Sequence, residues 1–297
     1  YVSSKVAIYE MMASGVTTTT DMLYLHPTGR KEFIDSEIEA ARSTGVRFHP
    51  TRGSMSLSRK DGGLPPDSVV QSEREIIEDS VRLIEKYHDR EKHSMLRIAL
   101  APCSPFSVTE ESMVRTAELA GQYDVLLHTH LAETRDEDDF CIEKKGLRPV
   151  DFMEKVGWLN ERSWFAHLVW LSDEDIKRLA EHDCGMAHCP SSNMRLGSGI
   201  ARVKEMKEAG IRISLAVDGS SSNDTGNMLL EIRNALMLQR VLKGADALSP
   251  RDVLEFATLG GAKVLRMDDF IGSIEPGKSA DLAAFRLDTL SMAGGLS

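Results

Sequence analysis

The chain has 297 residues, of which 41% are hydrophobic and 28% are charged, and this composition excludes a disordered or fibrous protein. Its net charge of -10 disfavours nucleic acid as a partner, because phosphate binding requires clustered lysine and arginine. We therefore expect a globular protein with a large core and a small substrate that is neutral or cationic.

Helix-like and strand-like segments alternate along most of the chain. An opening helix stops near Gly15, the β-branched run from Val16 to Asp21 predicts a strand, and a second helix covers about Arg30 to Ser43. Six further strand-like runs follow, at Val46 to Thr51, Leu96 to Pro102, Val125 to His130, Ser163 to His167, Gly185 to His188 and Ile211 to Asp218. The amphipathic stretches between them include Ser72 to Tyr87, Thr109 to Gln122, Ser172 to His182 and Ile200 to Ala209.

This alternation predicts an α/β fold, a (β/α) TIM-like barrel, because parallel strands need crossover connections of helical length. We assign residues 1–268 to the barrel. A closed barrel has eight strands, so the first strand is expected upstream of Tyr1. Active sites of such barrels form at the carboxyl ends of the strands, where the candidate residues named below fall.

The last part of the chain does not follow the alternation of strand and helix that predicts the barrel. One helix is expected after the seventh strand, with N-cap chemistry offered by Asn223, Asp224 and Thr225. Another helix covers Ser249 to about Leu265. Residues 269–297 are predicted to begin a small β domain, with strand-like runs at Ile271 to Lys278 and Asp281 to Leu287.

The four cysteines have no C-x-x-C spacing and are Cys103, Cys141, Cys184 and Cys189. They are too few for a disulfide framework in a chain of this length, so we expect reduced thiols. The apolar runs are of strand length, far below the roughly 20 residues that span a bilayer. We expect a soluble cytoplasmic protein.

One run brings a histidine and a carboxylate to the same strand end. Residues 125–133 read VLLHTHLAE, so an apolar strand delivers His130 and, three residues later, Glu133. A neutral imidazole can hold a divalent ion, and a nearby carboxylate can move protons between an activated water and a leaving group. His128 points to the same face and is expected one layer deeper. The alternatives are an interior histidine held by hydrogen bonds and a surface carboxylate.

Three later strand-like runs also end on polar groups suited to such a site, namely His167, His188 and Asp218. We predict that Asp218 binds metal and takes the proton of the nucleophilic water, with helix capping as the alternative. His167 is predicted to orient the water or polarise the substrate, and His188 to contact the substrate. Either histidine could instead only bridge neighbouring strands.

Two further histidines and one loop are less sharply defined. His26 and His49 lie at or just past predicted strand ends, so either is a candidate to line the pocket mouth or to complete a metal site. The segment around Cys103 could present backbone groups and an aromatic ring to a planar substrate, and a plain turn explains it equally well.

The combined motifs resemble the amidohydrolase superfamily, in particular its branch of nucleobase and triazine deaminases and hydrolases that includes 8-oxoguanine deaminases. The matching stretches are HTHLAE at 128–133, AHLVWLSDEDI at 166–176, HCPSSNMRLGSG at 188–199, VDGSSSNDTGNM at 217–228 and IEPGKSADL at 274–282. Further similar stretches are RGSMSL at 52–57, GGLPPDSVVQ at 62–71 and LAPCSPFSVT at 100–109. The substrate class below is implied by this resemblance, not by spacing.

The resemblance implies one divalent ion, zinc before iron, held by His130 and Asp218, with Glu133 as proton shuttle and His167 beside the attacking water. The substrate side of the rim is implied to comprise His188, Ser192, Asn193 and Cys103. Activated water would attack the amino-bearing ring carbon, Asp218 would receive its proton, Glu133 would protonate the ring nitrogen, and ammonia would leave. A cation suits this task because it lowers the pKa of water towards about 7.

Members of this family carry two further ligands as an H-x-H pair on the first barrel strand, and no such pair precedes residue 128, so it is expected upstream of Tyr1. The leading hypothesis is deamination of an oxidised purine, 8-oxoguanine to urate plus ammonia. Rivals with the same chemistry take guanine, isoguanine, a pterin or a hydroxylated triazine. A metal-free, non-catalytic binding barrel is the rival from another class. The resemblance also implies homo-oligomers.

Overall fold

Seven short runs rich in apolar and β-branched residues form one parallel sheet in the computed structural model, which describes residues 1–288. The strands are β1 (Thr18–Leu23), β2 (Arg47–Ser54), β3 (Ala99–Pro102), β4 (Leu127–Leu131), β5 (Ser163–His167), β6 (Gly185–His188) and β7 (Arg212–Leu215). Neighbours in the sheet are neighbours in the chain, so the order runs from β1 to β7. All seven predicted strands are present, and their carboxyl ends lie at one edge of the sheet.

Helices connect the strands, as parallel pairing requires. They are α1 (Val2–Ala13), α2 (Phe33–Thr44), α3 (Glu73–Tyr87), α4 (Glu110–Tyr123), α5 (Arg135–Lys145), α6 (Pro149–Lys155), α7 (Asp173–Glu181), α8 (Pro190–Leu196), α9 (Val203–Ala209), α10 (Ser220–Asn223), α11 (Met228–Lys243), α12 (Pro250–Glu255) and α13 (Gly261–Val264). A π-helical turn at Phe256–Gly260 joins α12 to α13, and short 3₁₀ turns lie at Arg59–Asp61 and Asp67–Val69.

The helix starts follow local capping rules, with one exception to the prediction. Helices α3, α7 and α12 begin with a capping box, in which a serine hydroxyl and an acidic side chain three residues later each accept a backbone N–H. The predicted cap of α11 is wrong, because Asn227 accepts the N–H groups of Leu229 and Leu230. Asn223 instead belongs to the short helix α10, and its side-chain amide donates to Glu231.

Apolar side chains fill two separate regions of the core. The larger cluster lies between strands and helices and includes Phe48, Leu127 and Phe165. The smaller cluster includes Trp164 and Phe270. Burial of each such side chain stabilises the fold by roughly 1.5–3 kcal/mol. The packed sheet and helices therefore support the residues at the strand ends.

The segment after α13 is held by side chains and not by strand pairing. Asp281 accepts hydrogen bonds from Nε and Nη2 of Arg47, at 2.8 and 3.1 Å, and Gly15 lies directly against the ring of Phe285. The strands predicted at 271–278 and 281–287 are wrong, since residues 269–288 contain no strand. A strand needs the backbone hydrogen bonds of a partner, which sequence alternation cannot supply. A small β domain over 269–297 stays a prediction, and residues 289–297 lie outside the described residues.

Two observations bear on the expected environment of the protein. All four cysteines are buried and free. None of the helices within residues 1–288 combines the length and the apolar character that crossing a lipid bilayer demands.

Candidate active site

The carboxyl ends of β4, β5 and β7 bring together the residues that the sequence analysis singles out. Parallel pairing sets Leu131 beside His167, so the loops after β4 and β5 start at the same level. The rings of His130 and His167 stack with centroids 5.4 Å apart. Glu133 Oε2 lies 3.7 Å from Nε2 of His167. The predicted convergence of these side chains on one rim is therefore observed.

His130 presents one ring nitrogen to the rim. Its Nδ1 lies 2.6 Å from the carbonyl oxygen of Cys103 and donates to it, because a carbonyl can only accept. Burial acts to lower the pKa of His130, but its contacts with Cys103 and the charge of Asp218 outweigh burial and raise the pKa to about 10. Nε2 therefore carries a proton when no metal is bound, and a metal ion would have to replace that proton. His128 lies one layer deeper, as predicted, with Nδ1 3.0 Å from the carbonyl of Trp164 and its ring stacked on that indole.

His167 is buried and held by an amide. Its Nδ1 lies 2.8 Å from Oδ1 of Asn193, so Nδ1–H donates and Nε2 is directed toward Glu133. Its backbone is in the left-handed region, with φ of 73°, and Leu168 follows with φ of 48°. Such conformations cost of order 1–3 kcal/mol and persist where the surroundings enforce them. Burial lowers the pKa of His167, so the imidazole is held neutral.

Asp218 lies where β7 gives way to the loop before α10, also with positive φ, 61°. Its carboxylate accepts from Ser192 Oγ at 2.5 Å and from the backbone N–H of Gly219 at 2.7 Å. Burial acts to raise the pKa of Asp218, but the Ser192 hydroxyl and the neighbouring imidazoles of His167 and His130 outweigh it and lower the pKa. The N-cap of α10 is Gly219, so the helix-capping alternative for Asp218 is not observed.

Three donors at the rim lie close enough to share a metal ion. A ring nitrogen of His167, Sγ of Cys189 and a carboxylate oxygen of Asp218 all lie within 4.8 Å of one another. Zinc bonds of about 2.0–2.3 Å would need only small side-chain shifts from this arrangement. These nitrogen, sulfur and oxygen atoms are donor types that a divalent ion binds. Burial raises the pKa of the Cys189 thiol well above its usual value, and Sγ donates to the carbonyl of Ala187, so Cys189 would have to lose its proton to act as a ligand. Cys189 is a residue that the sequence analysis did not place in the site.

Strand β6 ends in His188, which the sequence analysis predicts at the substrate. His188 is fully buried at the end of β6, and neither of its ring nitrogens has a hydrogen-bond partner among residues 1–288. Burial lowers its pKa to about 3, so it is neutral and offers one donor and one acceptor. Cys103 lies beside His130, with Sγ 3.9 Å from Nδ1. Ser192 and Asn193, predicted at the substrate, hold Asp218 and His167 respectively.

Tyr24 also faces this site and was not identified from the sequence. Its ring meets that of His130 edge-on at 6.0 Å. Burial raises the pKa of Tyr24 to about 12, and the nearby Cys103, Asp218 and Glu133 act in the same direction. Its position directly after β1 was the available signal, since barrel sites collect residues that follow strands.

The prediction for His49 is wrong. Strand β2 runs to Ser54, so His49 is its third residue and lies inside the sheet beside Trp164, not at the pocket mouth. The strand was predicted to end at Thr51, but it continues through Arg52, whose charge is neutralised in the interior by Asp79.

His26 does follow β1, as predicted, but its ring is buried. The ring packs beside Phe33, with ring centroids 6.5 Å apart. Its Nε2 lies 3.1 Å from the carbonyl oxygen of Leu23 and donates to it. The contacts of His26 are therefore those of a packing residue.

The Amidohydrolase family profile matches residues 1–296. The 8-oxoguanine deaminase of Pseudomonas aeruginosa is 52% identical over 98% of this chain and 65% of its own length. Among solved structures, the zinc complex of atrazine chlorohydrolase from Arthrobacter aurescens TC1 superposes with a TM-score of 0.94 at 35% identity, covering 98% of this chain and 65% of that one.

An adenosine deaminase from Xanthomonas campestris with bound zinc superposes with a TM-score of 0.88 at 28% identity, covering 99% of this chain and 63% of that one. These likenesses confirm the predicted α/β barrel fold. The chain spans just under two thirds of the length of the relatives it matches.

Proposed function

The chain belongs to the amidohydrolase family, and from that premise we propose that its activity is metal-dependent hydrolytic deamination of an oxidised purine, 8-oxoguanine to urate plus ammonia. The observation that carries the proposal is the convergence of Glu133, His167 and Asp218 on one rim beside His130. The identity of 52% to an 8-oxoguanine deaminase supports the choice of substrate.

We assign His130 and Asp218 as ligands of the divalent ion, with zinc before iron. Zinc in both structural neighbours supports this choice, and the ionised carboxylate of Asp218 is in the form that ligation needs. Nδ1 of His130 is held by the carbonyl of Cys103, so binding of the ion would replace the proton on Nε2. When bound, such an ion supplies Lewis-acid activation, which lowers the pKa of a water molecule towards about 7.

The remaining steps belong to side chains of this chain. Asp218 accepts the proton of the attacking water, in a position fixed by Ser192 and Gly219. His167, held by Asn193, orients the water through Nε2. Glu133 takes the other proton of the water and delivers it to the ring nitrogen next to the carbon under attack. Asp218 then passes its proton to the amino group, the C–N bond breaks, and ammonia leaves.

Substrate recognition is assigned to the groups that face the rim without taking part in proton transfer. His188 offers one donor and one acceptor that no described protein group uses. A purine carries matching ring N–H and carbonyl groups, so pairing with His188 would satisfy both partners. Cys103 and the half-buried ring of Tyr24 supply apolar surface beside the planar substrate.

Ammonia release and urate formation from 8-oxoguanine test the proposal directly. We expect turnover by the metal-loaded protein and a loss of about 10²–10⁴-fold in kcat for Glu133→Gln, with metal content unchanged. Glu143→Gln, which alters an exposed glutamate on α5, is the matched control and should retain full activity. Equal activity of Glu133→Gln and wild type would remove Glu133 from the mechanism.

Parallel assays with guanine, isoguanine, a pterin and a hydroxylated triazine test the substrate itself. Faster turnover of any of these would replace 8-oxoguanine as the substrate while keeping the chemistry. No turnover of any substrate, combined with no retained metal, would favour the non-catalytic binding barrel.

We further propose a cytoplasmic location and a homo-oligomeric state for the working protein. Four buried free thiols suit a reducing compartment. Size-exclusion chromatography with light scattering would test the oligomer.

A further inference from the structure

A second glutamate lies beneath the site, and the reaction scheme does not use it. Glu137, in the first turn of α5, is 1% exposed. Its Oε1 accepts the backbone N–H of Ala132 at 2.8 Å, and its Oε2 accepts the backbone N–H of Glu133 at 3.1 Å. Both carboxylate oxygens are therefore committed to two consecutive peptide groups, immediately before and at the residue assigned as the proton shuttle.

The peptide that precedes Glu133 is also held from the other side. The carbonyl oxygen of Ala132 accepts the N–H groups of Val169 and Trp170, each at 2.9 Å. Ala132 itself is in the left-handed region, with φ of 50°, which an alanine rarely adopts without external support. Hydrogen bonds on both faces thus fix a backbone conformation that the sequence alone disfavours.

This conformation determines where the Glu133 side chain can reach. From it, Oε1 of Glu133 lies 3.3 Å from the hydroxyl of Ser198, and Oε2 lies 3.7 Å from Nε2 of His167. A rotation of the Ala132 peptide would swing the shuttle carboxylate away from His167, because the side chain starts at the atom that the two bonds hold. The position of the Glu133 carboxylate therefore depends on the hydrogen bonds that hold the Ala132 backbone.

We propose that Glu137 is a positioning residue that fixes the proton shuttle Glu133 by accepting hydrogen bonds from the consecutive backbone N–H groups of Ala132 and Glu133. The inference rests on the function proposed above, since it gives Glu133 its role. Only a carboxylate of this length offers two acceptor oxygens at this place. A glutamine would direct an N–H₂ donor at one of the two N–H groups, and an aspartate would fall short by one methylene.

The test is a double-mutant cycle between Glu137→Gln and Glu133→Gln, assayed well above pH 7. This condition keeps Glu137 ionised, since burial raises its pKa to about 7 against the two N–H bonds that lower it. In the wild-type background Glu137→Gln should lower kcat by about 10–100-fold with KM and metal content unchanged. In the Glu133→Gln background the same change should cost almost nothing, because its target is already inactive.

Matched variants separate positioning from general stability. Glu143→Gln on the exposed side of the same helix should leave kcat unchanged in both backgrounds. Should Glu137→Gln not fold, Glu137→Asp takes its place in the cycle. An equal loss of kcat in both backgrounds, or a lower unfolding temperature with kcat of the folded fraction unchanged, would overturn the proposal.

Amide hydrogen exchange decides the matter without turnover. Exchange at the amides of Ala132 and Glu133 should accelerate in Glu137→Gln and not in Glu143→Gln. If the wild-type protein released no ammonia from any substrate, the proposed function would fail. Faster exchange at these two amides in Glu137→Gln would still show that Glu137 holds this backbone. Unchanged exchange would overturn this proposal.

Discussion

Both ends of the sheet bury polar side chains, but they differ in whether those side chains have hydrogen-bond partners within the described chain. At the amino end, the buried guanidinium of Arg47 donates to both oxygens of Asp281 and to the carbonyls of His93 and Ser94, and it lies 5.4 Å from the centre of the Phe270 ring. At the carboxyl end, the equally buried His188 has neither nitrogen bonded within the described chain.

Backbone conformation does not separate the two ends. Ala132, His167 and Asp218 adopt positive φ at the carboxyl end, and His93 and Asp124 do so at the amino end. The difference lies in the polar groups, because an unpaired buried polar group costs stability and a fold keeps it where an external molecule completes the contacts. At the amino end the protein itself satisfies the buried Arg47, whereas at the carboxyl end the buried His188 leaves donor and acceptor groups that a ligand can use.

The largest effect that this comparison predicts is at the carboxyl end. Asp218→Asn keeps the size of the side chain and removes its negative charge, so we expect loss of bound metal and a fall in turnover of about 10³-fold or more. The urea midpoint of unfolding for the metal-free protein should change little. Asp224→Asn, on the same rim but exposed and paired with Arg195, is the control and should keep metal and activity. Retained metal in Asp218→Asn would contradict the ligand assignment.

A substitution at the amino end should have the opposite result: it should lower the free energy of unfolding and leave kcat unchanged. Asp281→Ala leaves the Arg47 guanidinium, whose side chain is 3% exposed, without its carboxylate. We expect the free energy of unfolding to fall by about 3 kcal/mol, the lower bound for breaking a buried pair, because Asp281 is itself 18% exposed. The kcat of the folded fraction should not change. Chemical denaturation and active-site titration measure the two quantities.

The control for this variant is an ion pair on the surface nearby. Asp269→Ala removes a contact of 3.7 Å to Lys92 in which both side chains are more than half exposed, and it should cost no more than about 0.5 kcal/mol. Equal losses in Asp269→Ala and Asp281→Ala would show that the amino end is not held by the Arg47 contact.

Elements with strong local signals could be predicted from the sequence. Strands β5 and β6 have the predicted bounds, and the rim histidines and Asp218 follow from their positions after apolar runs. Prediction from local sequence failed where a distant residue allows a charged side chain to be buried. Strand β2 was predicted to end before Arg52, but Asp79, 27 residues later, neutralises Arg52 in the interior.

The candidate site shows the same limit. Glu137 looks like one more charge in a charged helix, and only the fold turns it toward the Ala132 peptide. Cys189 carries no local sign of a site, since a buried thiol is a common core residue. Tyr24 is marked only by its position directly after β1. In the segment after α13, apolar alternation predicted strands, but pairing depends on a neighbouring backbone.

The smallest predicted effect concerns the layer between the two ends, where His49 and His128 are buried and lie outside the proposed chemistry. Burial lowers the pKa of each to about 3, with His88 and Arg97 adding to the shift at His49 and His130 and His167 adding to it at His128. Histidine in an unfolded chain has a pKa of about 6.5, so between these values the unfolded state binds more protons.

This stabilisation is complete above about pH 6.5 and is lost as the pH falls toward 3. At about pH 5.5, one unit below the unfolded pKa, the loss is on the order of 1 kcal/mol for each histidine. His49→Phe keeps an aromatic ring and removes one titrating group, so its unfolding free energy should fall by about 1 kcal/mol less than that of wild type between about pH 7.5 and 5.5. His182→Gln, at the exposed end of α7, should not reduce the fall. If the unfolding free energy fell equally in His49→Phe and wild type, His49 would take up a proton in the folded protein. The interior around His49 would then be open to protons, unlike the paired guanidinium of Arg47.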